Sequence, residues 1–209
     1  MVGQRWLVPG MLLAAGCAMW LLLAAPGELL GVDTGHAGMV LLVTCLWVSL
    51  YAIGSAPRGR LDQAVSPGEW KAWVGTAFMA VAVAYFLANL EVFRGPSVPD
   101  NPGAAAIGRN LVLLLVAWKV LSSVLAARWK GEVEEDERDR AIERQAAGWG
   151  RGVLVVAIGI LAGTLGLSPS DRLQWATHFL VANLLVLSLM LGWLAECAAT
   201  AAYYWRDRR

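Results

Sequence analysis

Residues 175–204 read WATHFLVANLLVLSLMLGWLAECAATAAYY, a run in which Glu196 is the one Asp, Glu, Lys or Arg. A helix that crosses a bilayer needs about 20 mostly apolar residues, because a hydrocarbon core of roughly 30 Å is climbed at about 1.5 Å per residue and no backbone polar group can go unpaired in lipid. This run exceeds that length, and its apolar positions continue without the alternation of a barrel strand. It predicts a transmembrane helix. Working outward, Trp6–Ala25, Ala37–Ser55, Trp70–Phe93, Gly108–Ala127 and Gly152–Leu167 meet the same demand, the last of them short unless its glycine-rich approach, GWGRG at Gly148–Gly152, extends it. Composition agrees, since 58% of the chain is hydrophobic where soluble domains run at about 45–50%. The expected fold is all-α: a polytopic helical bundle of six transmembrane helices, forming a single integral membrane domain over residues 1–209.

Lys and Arg collect on the cytoplasmic side of membrane proteins. With the N-terminus inside, thirteen of the 17 Lys and Arg fall on the inner side, Arg94, Arg109 and Arg172 fall on the outer side, and Lys119 lies within a span. Both termini are therefore expected in the cytoplasm. Trp6, Trp70, Trp73, Trp129, Trp149 and Trp205 would then mark the inner interface and Trp175 the outer one, as amphipathic rings do. The outer connection RGPSVPDNPGAAAIG, Arg94–Gly108, holds three prolines and is expected as an extended crossing. The LAAGC at Leu13–Cys17 has the outline of a lipoprotein cleavage site, but apolar chain continues through Ala25, so it is assigned to the first span. Cys17, Cys45 and Cys197 form no C-x-x-C pair and are expected as small packing residues. Trp47, Trp118 and Trp193, one per even-numbered span, hint at three tandem hairpins, a pattern that chance similarity among Leu/Ala/Trp-rich helices explains equally well.

Against this apolar background stands GEVEEDERDRAIERQ, Gly131–Gln145, with seven carboxylates and three arginines. Residues 131–151 are expected as a cytoplasmic charged helix that runs into the fifth span. Glu134 with Arg138 and Asp136 with Arg140 stand four apart with the acid first, the better orientation for helical pairs. Ile142, Ala146, Trp149 and Val153 form one apolar stripe at helical spacing. An anionic inner leaflet repels an acidic segment, so the acids should stand off the membrane. Three readings stay open for them: a solvated helix that ends a hairpin, a docking surface for a basic protein, or a divalent-cation site without the Asp-x-Asp-x-Asp-Gly loop that would shape one.

The DERDRAI at Asp136–Ile142, placed before a span, together with Glu196 and the closing YYWRDRR at Tyr203–Arg209, resembles a family of small, uncharacterised bacterial multi-pass membrane proteins of unknown function. In that family an Asp-Glu-Arg-Asp/Glu-x-x-Ile motif introduces a C-terminal transmembrane hairpin ending in Tyr-x-Arg-Arg. The resemblance covers about residues 132–209 and carries over to Asp136, Glu137, Arg138, Asp139 and Ile142; Trp205 and Asp207 depart from the family's ending. It implies no activity. Family members accompany small helix-turn-helix regulators, which implies signalling and the bacterial cytoplasmic (inner) membrane.

A charge near the bilayer centre costs on the order of 2.5–3.5 kcal/mol, so each intramembrane ionisable group is a functional candidate. Counting up from Trp129 and Trp205 puts Lys119 about 15 Å and Glu196 about 13.5 Å above the inner interface. At that common level they are expected either to neutralise one another or, respectively, to snorkel and to sit in water. Near the outer face, Asn89, Glu91, Asn110, His178 and Asn183 form a second polar set, expected mainly in hydrogen bonds between helices; Glu91 is also expected to pair with Arg94. With His178 the one histidine in a span, no metal site is expected, and no cofactor.

There is no G-x-S-x-G, H-E-x-x-H or glycine-rich phosphate loop in the chain, so a non-enzymatic role is expected. The sequence favours a membrane-embedded signalling or docking protein whose Glu134, Glu135, Asp136, Glu137, Arg138, Asp139, Arg140 and Ile142 engage a basic soluble partner, such as a transcriptional regulator. Its partners are then the lipid bilayer and that protein, with no direct contact to nucleic acid, and self-association into a homo-oligomer is compatible with it. The alternative is a small proton- or ion-coupled transporter or channel using Lys119 and Glu196.

Overall fold

A computed structural model describes residues 17–18, 20–21, 28–29, 31–55, 67–128 and 137–207. The first expected span falls outside them, except for helical residues at 17–18 and 20–21, and so do Glu134, Glu135 and Asp136. Five long helices follow in order: α1 Thr34–Ser55, α2 Pro67–Ala88, α3 Pro102–Arg128, α4 Glu137–Leu167 and α5 His178–Asp207. Helices α2 to α5 each contain a segment long and apolar enough to cross a membrane, and α1 holds a shorter apolar stretch, Thr34–Cys45. The chain is thus an all-α protein of the multi-pass membrane class. The strands among the described residues are a two-residue antiparallel pair, Glu28–Leu29 with Val32–Asp33, turned at Gly31 in the left-handed region, φ 77°, where glycine has no steric penalty.

The helix starts follow from local side-chain chemistry. The first turn of a helix has backbone N–H groups without intrahelical partners, which a short polar side chain just ahead can satisfy. Asp33 Oδ1 accepts from His36 N–H at 2.9 Å, Asn101 Oδ1 from Ala104 N–H at 3.0 Å, and Thr177 Oγ1 from Leu180 N–H at 3.2 Å. Pro67 and Pro102 occupy first helical positions of α2 and α3, where a missing N–H costs nothing. Asn101 explains why the expected extended crossing over residues 94–108 is replaced. Its Nδ2 donates to the carbonyls of Val92 at 2.9 Å and Pro96 at 3.2 Å, folding the chain into 3-10 turns at Leu90–Arg94 and Val98–Asp100 and starting α3 at Pro102.

Helix α4 is one uninterrupted 31-residue element, so the glycine-rich approach continues the helix and the charged segment from Glu137 onward belongs to it. Its length of about 46 Å exceeds a hydrocarbon core of roughly 30 Å. All of its charges lie between Glu137 and Arg151, so its apolar part is the remainder.

The chain divides into two compact units, residues 1–65 with 108–130 and residues 66–107 with 131–209. The division falls within α3. In the first unit, Met39 and Leu42 of α1 and Leu111 and Leu114 of α3 are buried. In the second, α5 is the shared partner of α2 and α4. At one end of this unit Phe86 stacks on Phe93 with centroids 4.8 Å apart, and Phe93 meets Phe179 edge-on at 6.1 Å. Toward the other end α4 and α5 touch backbone to backbone. A Cβ added to Gly150 would lie 2.9 Å from the Gly192 carbonyl oxygen and 3.0 Å from Glu196 Cβ. The buried stripe of α4 accordingly runs Ile142, Ala146, Gly150. This corrects the expected stripe: Trp149 is 60% exposed, because position 150 must hold a glycine against α5.

Replacing Gly150 with valine should cost about 1–3 kcal/mol, the range for overpacking a tight contact, and lower the thermal unfolding midpoint in detergent. Gly148→Ala, where an added Cβ meets nothing within 4 Å, should leave the midpoint unchanged.

Candidate functional site

The charged motif meets the chain's last turns in the second unit. Asp139 and Ile142 are three apart on α4, which puts them on one face of the helix. Tyr204 Oη donates to Asp139 Oδ1 at 3.0 Å, and Arg138 forms an ion pair with Asp207. Ile142 is buried with Ala72 of α2 and Ala201 and Tyr204 of α5. Tyr204 also occupies the space above Gly68, where an added Cβ would lie 2.9 Å from its Cζ. Three helix ends are therefore joined through one phenol.

A second set of contacts lies beside the first. Trp149 Nε1 donates to Tyr203 Oη at 2.8 Å, and the Arg206 guanidinium sits 5.3 Å from the Tyr203 ring centroid. Arg144 Nε donates back to the Arg140 carbonyl at 3.1 Å, and Arg151 Nε to that of Ala147 at 3.4 Å.

These contacts split the predicted docking residues. Arg138, Asp139 and Ile142 serve the junction with α5 and α2, so Arg138 pairs with Asp207 on another helix. Glu137, Arg140, Glu143 and Arg144 are exposed. That outward set holds two acids and two bases, hence no net charge, and the acid excess of the motif resides in residues 132–136. Sequence reasoning missed Tyr203, Tyr204 and Asp207. The signal was present in Asp207, an acid among terminal arginines, which is the counterion that Arg138 uses.

The polar residues expected within the membrane fall in both units. Lys119 is exposed in the first unit, on the same face of α3 as exposed Val112, Val116 and Val120, and its carbonyl accepts the hydroxyls of Ser122 at 2.9 Å and Ser123 at 2.8 Å. Glu196 is half-buried in the second unit, where its Oε2 lies 3.2 Å from the position of a Cβ on Gly150. Within that unit Lys71 of α2 and Glu196 both lie in electrostatic reach of the Cys197 thiol.

At the other end of the second unit, Glu91 pairs with Arg94 at 2.8 Å on the surface. Asn89 and Asn183 do not bridge helices: each Nδ2 donates at 2.8 Å to the carbonyl four residues back, of Tyr85 and Phe179. Such back-bonding satisfies a polar group where no partner helix offers one. His178 is exposed at the start of α5, and Asn110 is buried on α3. Among the described residues no group of three or more His, Cys, Asp or Glu could hold a metal ion.

The chain matches no protein-family model, no curated protein and no solved structure.

A hydrogen bond to a charged group contributes about 1.5–3 kcal/mol, whereas an exposed ion pair contributes about 0–1 kcal/mol. Tyr204→Phe should therefore destabilise the second unit by about 1.5 kcal/mol or more. Asp207→Asn, removing a pair in which both side chains are about half exposed, should cost less than half of that. Reversible unfolding of the two variants in detergent gives the comparison.

Proposed function

We propose that the protein is a non-enzymatic docking component of the bacterial cytoplasmic membrane, with six spans and both termini inside, whose charged helix end engages a basic soluble protein. The observation that carries this reading is the fixed junction built from Arg138, Asp139, Ile142 and Tyr204. A helix end locked on two others is a rigid platform, and a rigid platform loses little conformational entropy on binding. The family resemblance, with its helix-turn-helix regulators, supplies a partner of the right charge.

Because the outward face of the described helix is balanced, the attraction belongs to Glu132, Glu134, Glu135 and Asp136. Reversing Glu134, Glu135 and Asp136 to lysine should abolish co-purification of a basic cytoplasmic protein from native membranes, while Glu143→Lys should weaken it only slightly. Equal capture by the triple variant and the parent would overturn the docking role.

The transport alternative draws on Glu196, a half-buried carboxylate in a membrane-length helix that makes no ion pair among the described residues. Against it stand α4 and α5, continuous over 31 and 30 residues, where transporters use broken helices at their sites. In reconstituted vesicles Glu196→Gln should leave ion and proton permeability unchanged, and a flux lost on that substitution would favour transport. The orientation has its own test. A membrane-impermeant reagent added to intact cells should fail to reach a cysteine placed at Glu135.

A further inference from the structure

Beside the junction, one face of α4 forms an open groove of about 590 Å³, lined by Gln145, Gly148, Trp149, Gly152, Val156 and Ile160 among others. Its floor is low because Gly148 and Gly152 have no side chain and no neighbour within 4 Å of an added Cβ. From Trp149 to Ile160 it runs about 16 Å along the helix axis, close to half of a hydrocarbon core of roughly 30 Å. That is the depth of one leaflet. The lining is apolar along this length and polar at one end, where Gln145 stands one helical turn before Trp149, whose indole donates to Tyr203.

The polar end has hydrogen-bond donors to spare. The Tyr203 oxygen accepts from Trp149, and its own O–H has no acceptor among the described residues. The guanidinium of Arg206 lies over the same ring, on an exposed side chain. Of the neighbouring carboxylates, Asp207 is engaged by Arg138 and Asp139 accepts from Tyr204, while Glu143 is exposed on the same end of α4. A phosphate oxygen offers these donors the acceptors and the charge they lack, and bidentate geometry suits a guanidinium. We propose that the groove holds an acyl chain of an anionic phospholipid whose phosphate is bound by Arg206, the Tyr203 hydroxyl and the Gln145 amide. Basic sites at helix ends on the cytoplasmic side bind such headgroups.

Native mass spectrometry of the full chain in mild detergent, supplied with phosphatidylglycerol or phosphatidylethanolamine, tests the assignment. The parent should retain one phosphatidylglycerol in preference to phosphatidylethanolamine. Gly152→Leu, and independently Val156→Trp, should abolish retention of both lipids while circular dichroism stays unchanged. Arg206→Gln should lower the preference for phosphatidylglycerol about fivefold, the worth of one basic residue at an anionic surface. Undiminished lipid retention in both groove-filling variants would overturn the proposal, as would a dimer that Gly152→Leu converts to monomer, since the groove would then belong to a second copy of the chain.

Discussion

The approach of α4 to α5 at Gly150 and Gly192 sets the register of everything beyond it. Two helices that touch through backbone atoms cannot slide by a residue without driving a Cβ into a carbonyl. From Gly150, α4 runs eight residues back to Ile142, and from Gly192, α5 runs nine residues forward to Ala201. At an equal rise per residue these side chains reach the same level and share one cluster. Three residues further along each helix, Asp139 and Tyr204 meet at 3.0 Å. Without a hydrophobic driving force between helices in lipid, such close packing of small residues is what holds spans together.

The register divides a motif that looks like a simple charge run into an inward and an outward set over about two helical turns. Arg138, Asp139 and Ile142 are used inside the protein, while Glu137, Arg140, Glu143 and Arg144 are left outside. The inner set holds α2, α4 and α5 at a single point, through Tyr204. From this point α4 continues unbroken through its apolar segment to Leu167.

Four membrane-length helices were legible in the sequence because membrane crossing imposes a requirement on length and hydropathy alone, and residues 178–207 satisfy it almost regardless of context. The charged helix was legible as well, from Glu137 to Gln145, because its charges and its apolar positions share the helical period. Contact was a different matter. Trp149 was assigned to the packing stripe since a large apolar ring outranks a glycine in any count of hydrophobicity, yet the close crossing requires the glycine beside it. Asn89 and Asn183 were assigned to interhelical bonds although their own helices offer a carbonyl four residues back. The bend at Asn101 was hidden behind three prolines, which speak for extended chain only where no side chain captures the free carbonyls around them. For Trp149 the deciding information is which helix lies opposite, and for the asparagines it is which nearby carbonyl the side chain captures; a single sequence holds neither.

Helix dipoles add a constraint on what this end of the protein can bind. The N-terminus of α4 favours acids in its first turn, where Glu137 and Asp139 stand, and the C-terminus of α5 favours bases in its last turn, where Arg206 stands. An antiparallel pair brings these two ends together, so acids and bases alternate across one surface by necessity and not by accident of composition. A surface of that kind presents a short-range pattern in place of a single-sign field, and its long-range pull is set by the residues that exceed the pairing, which on the acidic side are those preceding Glu137. Steering and fit are then separable. In the proposed docking role, the run at 132–136 would govern how fast a basic partner arrives and the side chains from Glu137 to Arg144 which partner fits, since complementary rim charge acts mainly on the association rate while close contacts act on dissociation.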